Sequence, residues 1–505
     1  MTREAVAERM RVVVRSLLGA DPALPIRFWD GSVLGPDPHG APATIVVRRP
    51  RALRRLMWSP GELGLARCYV AGDIDIEGDL YAVLDLRQLI AEHDAGVNLG
   101  FTPAGVVVLI RTAAALGALG PPPAPPREEV RLHGHRHSAA RDAIAIRAHY
   151  DVGNDFYRLV LGSTMTYSCG YWDEGISSLD NAQEAKYEHI CRKLGLRPGM
   201  RLLDVGCGWG GMVIHAARHY GVDAVGITLS PAQQQLATRR VEQAGLGERI
   251  EIRLQDYRQL GGERFGAISS IGMFEHVGES QLRHYSAVLL GLLEPEGRLL
   301  NHGISRPAGP AALKDRSFIN RYVFPDGELH EVGRVVSVLQ ETGFEVRDVE
   351  SLREHYARTL RAWVSNLETN WDEAVALVGP ARARIWRLYM AGCALNFEEG
   401  RTMIHQVLAV RDGDHGRSGM SPTRRRWYRI APPMLDLTTT GSVSATGSVA
   451  SPASVASPAS VASPASVVGA SSASGAATTT TGAPHTAASS AADDHVEVGG
   501  SPANA

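Results

Sequence analysis

Glycines concentrate in residues 201–211 (RLLDVGCGWGG), directly after an acidic residue, Asp204. Apolar residues lead into this acid, and a helical pattern resumes after the last glycine. Because glycine has no Cβ, a ligand can lie against the backbone of such a turn, at the N-terminus of the following helix. The stretch therefore predicts a strand, a ligand-binding turn and a helix.

The order of the acid and the glycines bears on which ligand is bound. In dinucleotide-binding proteins the turn reads G-x-G-x-x-G and cradles a pyrophosphate. Here Asp204 precedes Gly206 and Gly208, an order that resembles motif I of the class I S-adenosylmethionine (SAM) methyltransferases. A glycine turn is also found as a plain strand-to-helix connection, so further signs are needed.

Two further signs follow at the next predicted strand ends. Residues 226–235 (GITLSPAQQQ) place Thr228 and Gln233 where many nucleotide folds have an acid that binds the ribose, whereas Asp223 comes too early for that role. Residues 254–258 (LQDYR) place Asp256 and its neighbours where they can hydrogen-bond an adenine edge. Together with the glycine turn, these signs favour a SAM site.

Elements that position these residues alternate along the chain. Apolar strand patterns separated by helical ones occur in RLLDV, DAVGI, ERIEIRL, FGAISSI, GRLLNHGI and FEVRDVES. This alternation predicts an α/β fold, a doubly wound, parallel, Rossmann-like sheet with its ligand at the carboxyl ends of the strands. Residues 355–371 and 384–410 are predicted to be C-terminal helices.

Composition divides the 505 residues into four parts. We predict an N-terminal α+β domain over residues 1–118, associated with lipid or substrate, and a Pro/His-rich linker over residues 119–140. The catalytic domain spans residues 141–436. Residues 437–505, with the repeat SPASVA, hold too few large apolar groups to offset their ordering entropy and are predicted to be a disordered tail. His133, His135 and His137 alternate as metal ligands could, but a loop after a proline run is usually solvated, and no metal is predicted.

Charge and cysteine content limit the partners. Fifty-two Lys and Arg against 54 Asp and Glu give a net charge of -2, which does not favour nucleic acid. Five cysteines without a C-x-x-C pair, a charged N-terminus and no run of eighteen apolar residues predict a cytoplasmic protein that is peripheral at the inner face of the membrane. The arginines of residues 48–55 beside Trp58, and the basic residues 424–429, suit either lipid headgroups or a solvated face.

Several blocks carry a more specific likeness. HYDVGNDFYRLVLGSTMTYSCGYW (residues 149–172), SIGMFEHVG (residues 270–278) and NHGIS (residues 301–305), with the motifs above, resemble the cyclopropane-fatty-acyl-phospholipid synthase family. The likeness is strong over residues 141–410 and looser before them. It implies SAM-dependent methylation of a cis double bond in a phospholipid acyl chain, after which the carbocation loses a proton and closes a cyclopropane ring.

The resemblance also implies site residues. In the family a bicarbonate ion acts as the general base, and the matching positions around it are Cys169, Glu275, His302, Ile304 and Tyr356. The predicted catalytic residues are Cys169, Glu275, His302, Tyr356 and Cys393. The predicted cofactor-binding residues are Tyr167 and Ser168, at the carboxylate end of SAM, with Asp204, Gly206, Gly208, Thr228, Gln233 and Asp256. Aromatic surface near the pocket is expected from Tyr150, Phe156, Tyr157, Tyr171, Trp172 and Phe274, for which a core role is as well supported.

Alternatives stay open at this stage. The same cation can lose a proton elsewhere and leave a methylene branch, a 10-methylene product that a partner reductase would saturate. A second alternative is a non-catalytic lipid-binding protein with a methyltransferase fold, although the glycine turn and the base-holding residues are intact. A nucleic-acid methyltransferase is disfavoured because no N-P-P-Y or D-P-P-Y motif occurs. A homodimer is neither required nor excluded.

Overall fold

The computed structural model describes residues 5–18, 21–93, 103–130, 152–309, 317–325 and 327–428. Several predictions concern residues outside these ranges and stay predictions. They are the disordered tail over residues 437–505, the solvated His133, His135 and His137, and the aromatic role of Tyr150.

The first part of the chain forms a small sheet with helices around it. Its strands are β1 (Ile26–Arg27), β2 (Val33–Leu34), β3 (Ala43–Val47) and β4 (Ile74–Gly78), in the order β2-β1-β3-β4. Its helices are α1 (Val6–Leu18), α2 (Arg51–Trp58), α3 (Glu62–Val70), α4 (Leu80–His93) and α5 (Pro103–Ala115). Apolar side chains of α1, α2 and α5, among them Met10, Leu53 and Ala113, pack into one core with those of the sheet.

The arginine cluster of residues 48–55 takes part in ion pairs within this part. Asp73 is fully buried and binds Arg51 at 2.8 Å and Arg55 at 3.4 Å. Arg48 binds Asp75 at 2.9 Å. Arg55 is itself buried. It therefore fits neither of the two interpretations of this cluster, a solvated face or a surface for lipid headgroups.

The second sheet carries the predicted catalytic unit. Its strands are β5 (Arg201–Val205), β6 (Asp223–Thr228), β7 (Ile250–Leu254), β8 (Phe265–Ile271), β9 (Leu293–Arg306), β10 (His330–Glu331), β11 (Phe344–Ser351) and β12 (Met403–Arg411). The order is β11-β12-β9-β8-β5-β6-β7, with β10 beside β9. Strands β5 to β9 are mutually parallel where they pair, which confirms the doubly wound α/β fold.

Strand β12 is where the sequence-based prediction is wrong. A helix is predicted throughout residues 384–410, but the helix ends at Glu398 and Met403–Arg411 runs antiparallel to both neighbouring strands, so that the sheet is mixed. Gly400 has a φ of 71°, a left-handed conformation that ends the helix. Beyond it, Ile404 and Val407 are β-branched and buried, as a central strand requires.

Helices cover both faces of this sheet and the carboxyl ends of its strands. They are α6 (Asn154–Leu161), α7 (Leu179–Leu194), α8 (Gly211–Tyr220), α9 (Pro231–Gln243), α10 (Leu282–Leu292), α11 (Phe318–Tyr322), α12 (Val332–Glu341), α13 (Arg353–Thr369), α14 (Trp371–Val378), α15 (Pro380–Glu398) and α16 (Arg425–Tyr428). Side chains of α6, α13 and α15 form the largest apolar core, which also includes Ala66 and Val70 of α3. Arg384 of α15 binds Asp75 at 3.1 Å, which adds a polar contact between the two parts.

The buried ion pairs of Asp73 generate a stability prediction. The substitution Asp73→Ala leaves the Arg55 guanidinium buried without its carboxylate, and removing one partner of a buried pair costs roughly 3 kcal/mol or more. We expect the free energy of unfolding, measured by urea titration, to fall by about that amount. Asp21→Ala is the matched control, because Asp21 pairs with Arg15 at an exposed position and solvent screens the pair. Equal losses in both variants would contradict the structural role given to Asp73.

Candidate active site

The glycine turn connects β5 to α8 with a backbone that other residues rarely adopt. Gly206, Gly208 and Gly210 have φ values of 80°, 55° and 81°, all in the left-handed region. A Cβ placed on Gly208 would have no neighbouring atom within 4 Å, because that position borders open space. The glycines therefore allow the backbone conformation of the turn and leave space for a ligand to approach the backbone of the turn.

An open cavity adjoins this turn at the carboxyl ends of β5, β6 and β8. Its empty volume, including open space at the mouth, is about 950 Å³. Most of the residues predicted to bind the cofactor line it: Tyr167, Ser168, Asp204, Gly206, Gly208, Thr228 and Gln233. The sheet thus brings together groups that lie far apart in the chain.

Hydrogen bonds hold the polar groups of this cavity in place. Thr228 Oγ1 donates to Gln233 Oε1 at 2.8 Å, where α9 begins. Ser269 Oγ donates to the buried Asp204 carboxylate at 2.7 Å. Burial nevertheless raises the pKa of Asp204 to about 6, because removal from water disfavours the charged form.

Asp256 is the one predicted cofactor-binding residue that does not line the cavity. Its carboxylate caps the next helical turn, accepting from the Arg258 backbone N–H at 2.9 Å and binding the Arg258 guanidinium at 2.6 Å. Its neighbours Gln255 and Tyr257 line the cavity in its place. This strand end borders the cavity, but a single sequence does not tell which of three adjacent side chains turns inward.

Lys186 is a cavity residue that the sequence analysis missed. It lies on α7, is fully buried, and its Nζ donates to Ser168 Oγ at 2.8 Å. Burial lowers the pKa of this ammonium group to about 7. The available signal was its position four residues after Ala182 and four before Ile190, which places a cation on the buried face of the helix.

A second group of side chains centres on Glu275, which lies in a short 3₁₀ helix after β8. One carboxylate oxygen accepts from the Ile304 backbone N–H at 2.6 Å, while the other is buried with no hydrogen-bond partner among the described residues. Burial raises the pKa of Glu275 to about 7, so the protonated acid and the carboxylate are both accessible near neutral pH.

His302 of β9 is buried as a neutral imidazole. Burial lowers its pKa well below the ordinary value. The Gln406 side-chain amide, assigned as the donor, contributes a hydrogen bond to His302 Nδ1 at 3.2 Å, which leaves the proton on Nε2. That Nε2 atom is buried and has no hydrogen-bond partner within the ranges that the structure describes. His302 therefore offers an N–H donor to a small molecule next to it.

Tyr356 and two cysteines complete this group. Burial raises the pKa of Tyr356 well above its usual range, and Tyr389, Cys169, Glu275 and Cys393 are close enough to raise it further, in that order. Cys169 is fully buried, which raises the pKa of its thiol, so it is not activated as a nucleophile. The predicted catalytic residues Cys169, Glu275 and Cys393 thus all lie near Tyr356, and Glu275 bonds the Ile304 backbone. His302 precedes Ile304 by two residues on β9.

An aromatic cluster extends from the cofactor cavity. The Tyr167 ring borders the cavity and lies 5.2 Å from Trp363 and 5.7 Å from Trp386, between ring centroids. Tyr157 lies 4.8 Å from Trp209 and 5.4 Å from Trp386. The Tyr167 hydroxyl donates to the Tyr389 hydroxyl at 3.1 Å. We define this aromatic cluster as Tyr157, Tyr167, Trp209, Trp363, Trp386 and Tyr389.

The other predicted aromatic residues have separate contacts. Phe156 packs on Trp386 at 5.4 Å, and Tyr171 stacks between His189 and His355. Trp172 lies under Arg358, and Phe274 packs against Tyr285 and His330. Phe156 thus adjoins the aromatic cluster directly, through Trp386 and Tyr157.

Two further features are lacking in the described part of the chain. No group of three or more His, Cys, Asp or Glu side chains there is arranged to hold a metal ion. Among the helices in the same ranges, none combines the length and the apolar character that crossing a membrane requires.

Comparison with known proteins gives consistent results. Residues 137–407 match the family model for mycolic acid cyclopropane synthetase. The chain is 42% identical to a probable fatty acid methyltransferase of Mycobacterium tuberculosis, over 80% of this chain and 95% of the relative. It is 37% identical to the cyclopropane-fatty-acyl-phospholipid synthase of Escherichia coli, over 57% of this chain and 75% of the relative.

A solved structure adds the cofactor. A mycolic acid cyclopropane synthase complexed with SAH and CTAB is 34% identical to this chain, with a TM-score of 0.51, and the match covers 53% of this chain and 98% of the other. The family match extends over the glycine turn, the cavity and the Glu275 group. The chain therefore belongs to the mycolic acid cyclopropane synthetase family and is a SAM-dependent C-methyltransferase.

Proposed function

We propose that this chain transfers the methyl group of SAM to the cis double bond of an unsaturated acyl chain in a phospholipid, and that the product is a cyclopropane. The observation that carries the proposal is the buried Glu275, which is close to Tyr356 and bonds the backbone of Ile304 two residues after the buried His302. Its neighbours Met273 and His276 line the cavity. Addition of the methyl group to the alkene gives a carbocation, and loss of a proton from the added methyl closes the ring.

The surroundings suit a cationic intermediate. Water would trap the cation as an alcohol, so the reaction needs a site from which water is excluded. Five members of the aromatic cluster are buried, and aromatic ring faces attract a cation. They are Tyr157, Trp209, Trp363, Trp386 and Tyr389. These rings also supply the apolar contacts that an acyl chain requires.

The polar group fits a small oxyanion such as bicarbonate. A bound bicarbonate would supply the general base that accepts the proton lost on ring closure. We propose that His302 Nε2–H and the Tyr356 hydroxyl donate to it. Glu275 would donate as well in its protonated form, which its raised pKa makes accessible. The buried Glu275 Oε2 and His302 Nε2 have no partner among the described residues, as expected of groups that bind a small molecule.

A second candidate product is a methylene branch, which a partner reductase would saturate to a methyl branch. The observation that favours it is the 42% identity to a relative named as a fatty acid methyltransferase, which is higher than the 37% identity to the E. coli cyclopropane synthase. The two reactions share the methyl transfer and differ in which carbon loses the proton. The position of the base relative to the acyl chain would decide between them.

We further propose that the enzyme acts as a peripheral protein at the inner face of the membrane. Support comes from exposed large apolar side chains in residues 5–130, namely Val12, Trp58, Leu65, Val107, Ile110 and Leu119. Trp58 Nε1 donates to the Gly120 carbonyl at 2.9 Å, which sets the indole beside Leu119. An exposed amphipathic indole is suited to the membrane interface.

Mass spectrometry of lipids tests the proposed reaction. A host rich in monounsaturated phospholipids, with and without this protein, should show fatty acids that gain fourteen mass units and lose the olefin. The same gain with an exocyclic methylene would assign the second product instead. If the purified protein binds SAM but the fatty acids of the host show no gain in mass, the phospholipid substrate would be contradicted.

Glu275→Gln tests the proposed role of the acid. The amide oxygen can still accept from the Ile304 N–H, so the geometry is kept while the titratable group is lost. We expect turnover to fall at least tenfold with SAM affinity, measured by calorimetry, nearly unchanged. Unchanged turnover would remove Glu275 from the mechanism.

The stability of the same variant is an internal control. The folded-state pKa of Glu275, about 7, lies above its ordinary value of 4.5. Below pH 4.5 this group is protonated in both the folded and the unfolded state and does not change the free energy of unfolding. As the pH rises from 4.5 towards 7, ionisation in the unfolded state alone lowers the free energy of unfolding. At pH 8, Glu275→Gln should be more stable than the wild type by about 3 kcal/mol, with the gap closing towards pH 4.5. Unfolding titrations at the two pH values would measure this, and a destabilised variant at pH 8 would contradict the burial argument.

Gly206→Val tests the glycine turn. A branched side chain at this cavity position would occupy the space of the cofactor, and SAM binding should be lost in calorimetry. The matched control is Gly245→Val. Gly245 has a φ of 69° and no atom within 4 Å of an added Cβ, so this variant has similar backbone strain away from the cavity. Normal SAM affinity in Gly206→Val would refute the assignment of the turn.

A further inference from the structure

Lys186 is a buried cation that the proposed reaction does not use. Its side chain is fully buried and borders the cofactor cavity. Its Nζ donates to Ser168 Oγ at 2.8 Å and lies 4.4 Å from the centroid of the Tyr187 ring. No carboxylate oxygen of the described residues forms an ion pair with it. An ammonium group has three N–H donors, and buried charges in proteins are normally paired.

A second lysine on the same helix makes the contrast clear. Lys193, further along α7, is also fully buried, and it binds Asp348 at 3.1 Å and also Glu350. Both of these acids belong to β11. The charge of Lys193 is therefore balanced by acids of the protein itself. Lys186 borders the cavity instead, so a counter-ion for it would have to lie in the cavity.

The groups around Lys186 indicate what kind of anion would fit. Ser168 Oγ, on the cavity wall, accepts one of its N–H groups. Asp204 lines the same cavity and is close enough to affect the pKa of Lys186, but its carboxylate accepts from Ser269. The cavity thus has the ammonium group of Lys186 and the carboxylate of Asp204 in its wall. These two groups suit the carboxylate and the ammonium group of an α-amino acid, respectively.

We propose that Lys186 binds the carboxylate of the methionine portion of SAM, with Ser168 holding the ammonium group of Lys186 in position. The carboxylate is the one anionic group of the cofactor. Burial lowers the pKa of Lys186 to about 7, and a carboxylate in contact would favour the charged form. The inference rests on SAM as the cofactor and is independent of which product forms.

Binding calorimetry with two ligands tests this assignment. S-Adenosylhomocysteine carries the amino-acid carboxylate, and methylthioadenosine has the same nucleoside and sulfur without it. Lys186→Met keeps the length and apolar character of the side chain and removes its charge. We expect the variant to bind S-adenosylhomocysteine at least tenfold more weakly, and methylthioadenosine within about twofold of the wild type.

The selectivity between the ligands separates this role from a structural one. Loss of packing would weaken both ligands alike, and that result, or unchanged affinity for S-adenosylhomocysteine, would overturn the proposal. Lys186→Gln is the second variant, since it keeps a donor for Ser168 but has no charge, and it should show the same selective loss. A wild-type protein that binds neither ligand would overturn the cofactor assignment itself. Both outcomes are read from binding alone, so they do not depend on which lipid the enzyme modifies.

Discussion

Burial of ionisable groups at the carboxyl edge of the large sheet controls the chemistry of the site. Burial raises the pKa of Asp204 to about 6 and of Glu275 to about 7, and it lowers those of Lys186 and His302. Each shift favours the neutral form, because a charge in a dry interior loses its hydration. The same low polarity strengthens every interaction with a charged ligand. The arrival of a sulfonium cofactor, with its own carboxylate and ammonium group, would therefore determine which of these groups is charged.

Strand register brings the polar partners together. Ile271 of β8 pairs with His302 of β9, and His302 pairs with Gln406 of β12. Gln406 thus bonds the histidine from the adjacent antiparallel strand and fixes its tautomer. A shift of one residue in β12 would turn Gln406 to the other face of the sheet, so the state of His302 depends on a strand that contributes no predicted site residue.

How much could be predicted from the sequence varies with the physical origin of each feature. Three strands, Arg201–Val205, Phe265–Ile271 and Phe344–Ser351, match their predicted bounds to the residue, since apolar and β-branched runs between turn residues are a local signal. Strand β12 is mistaken for helix in the sequence because it follows a long helix with only Gly400 as a marker, and its pairing with β9 and β11 is a tertiary effect.

The site residues follow the same division. The glycine turn is recognisable from spacing alone, and the Glu275 group from resemblance to a family. The orientation of Asp256 towards Arg258, and the position of Lys186 in the cavity wall, depend on side-chain packing that a single sequence does not specify.

The apolar core connects the two sheets through the site itself. Tyr167 borders the cavity, its ring packs on Trp363 and Trp386, and Trp386 belongs to the same core as Ala66 and Val70 of α3. The same aromatic cluster thus borders the cavity and joins the N-terminal part to the catalytic sheet. Because tightly packed cores transmit displacements, a change in how the N-terminal part sits on α15 would move the wall of the cavity. The N-terminal part therefore packs on the same apolar core that borders the cofactor cavity.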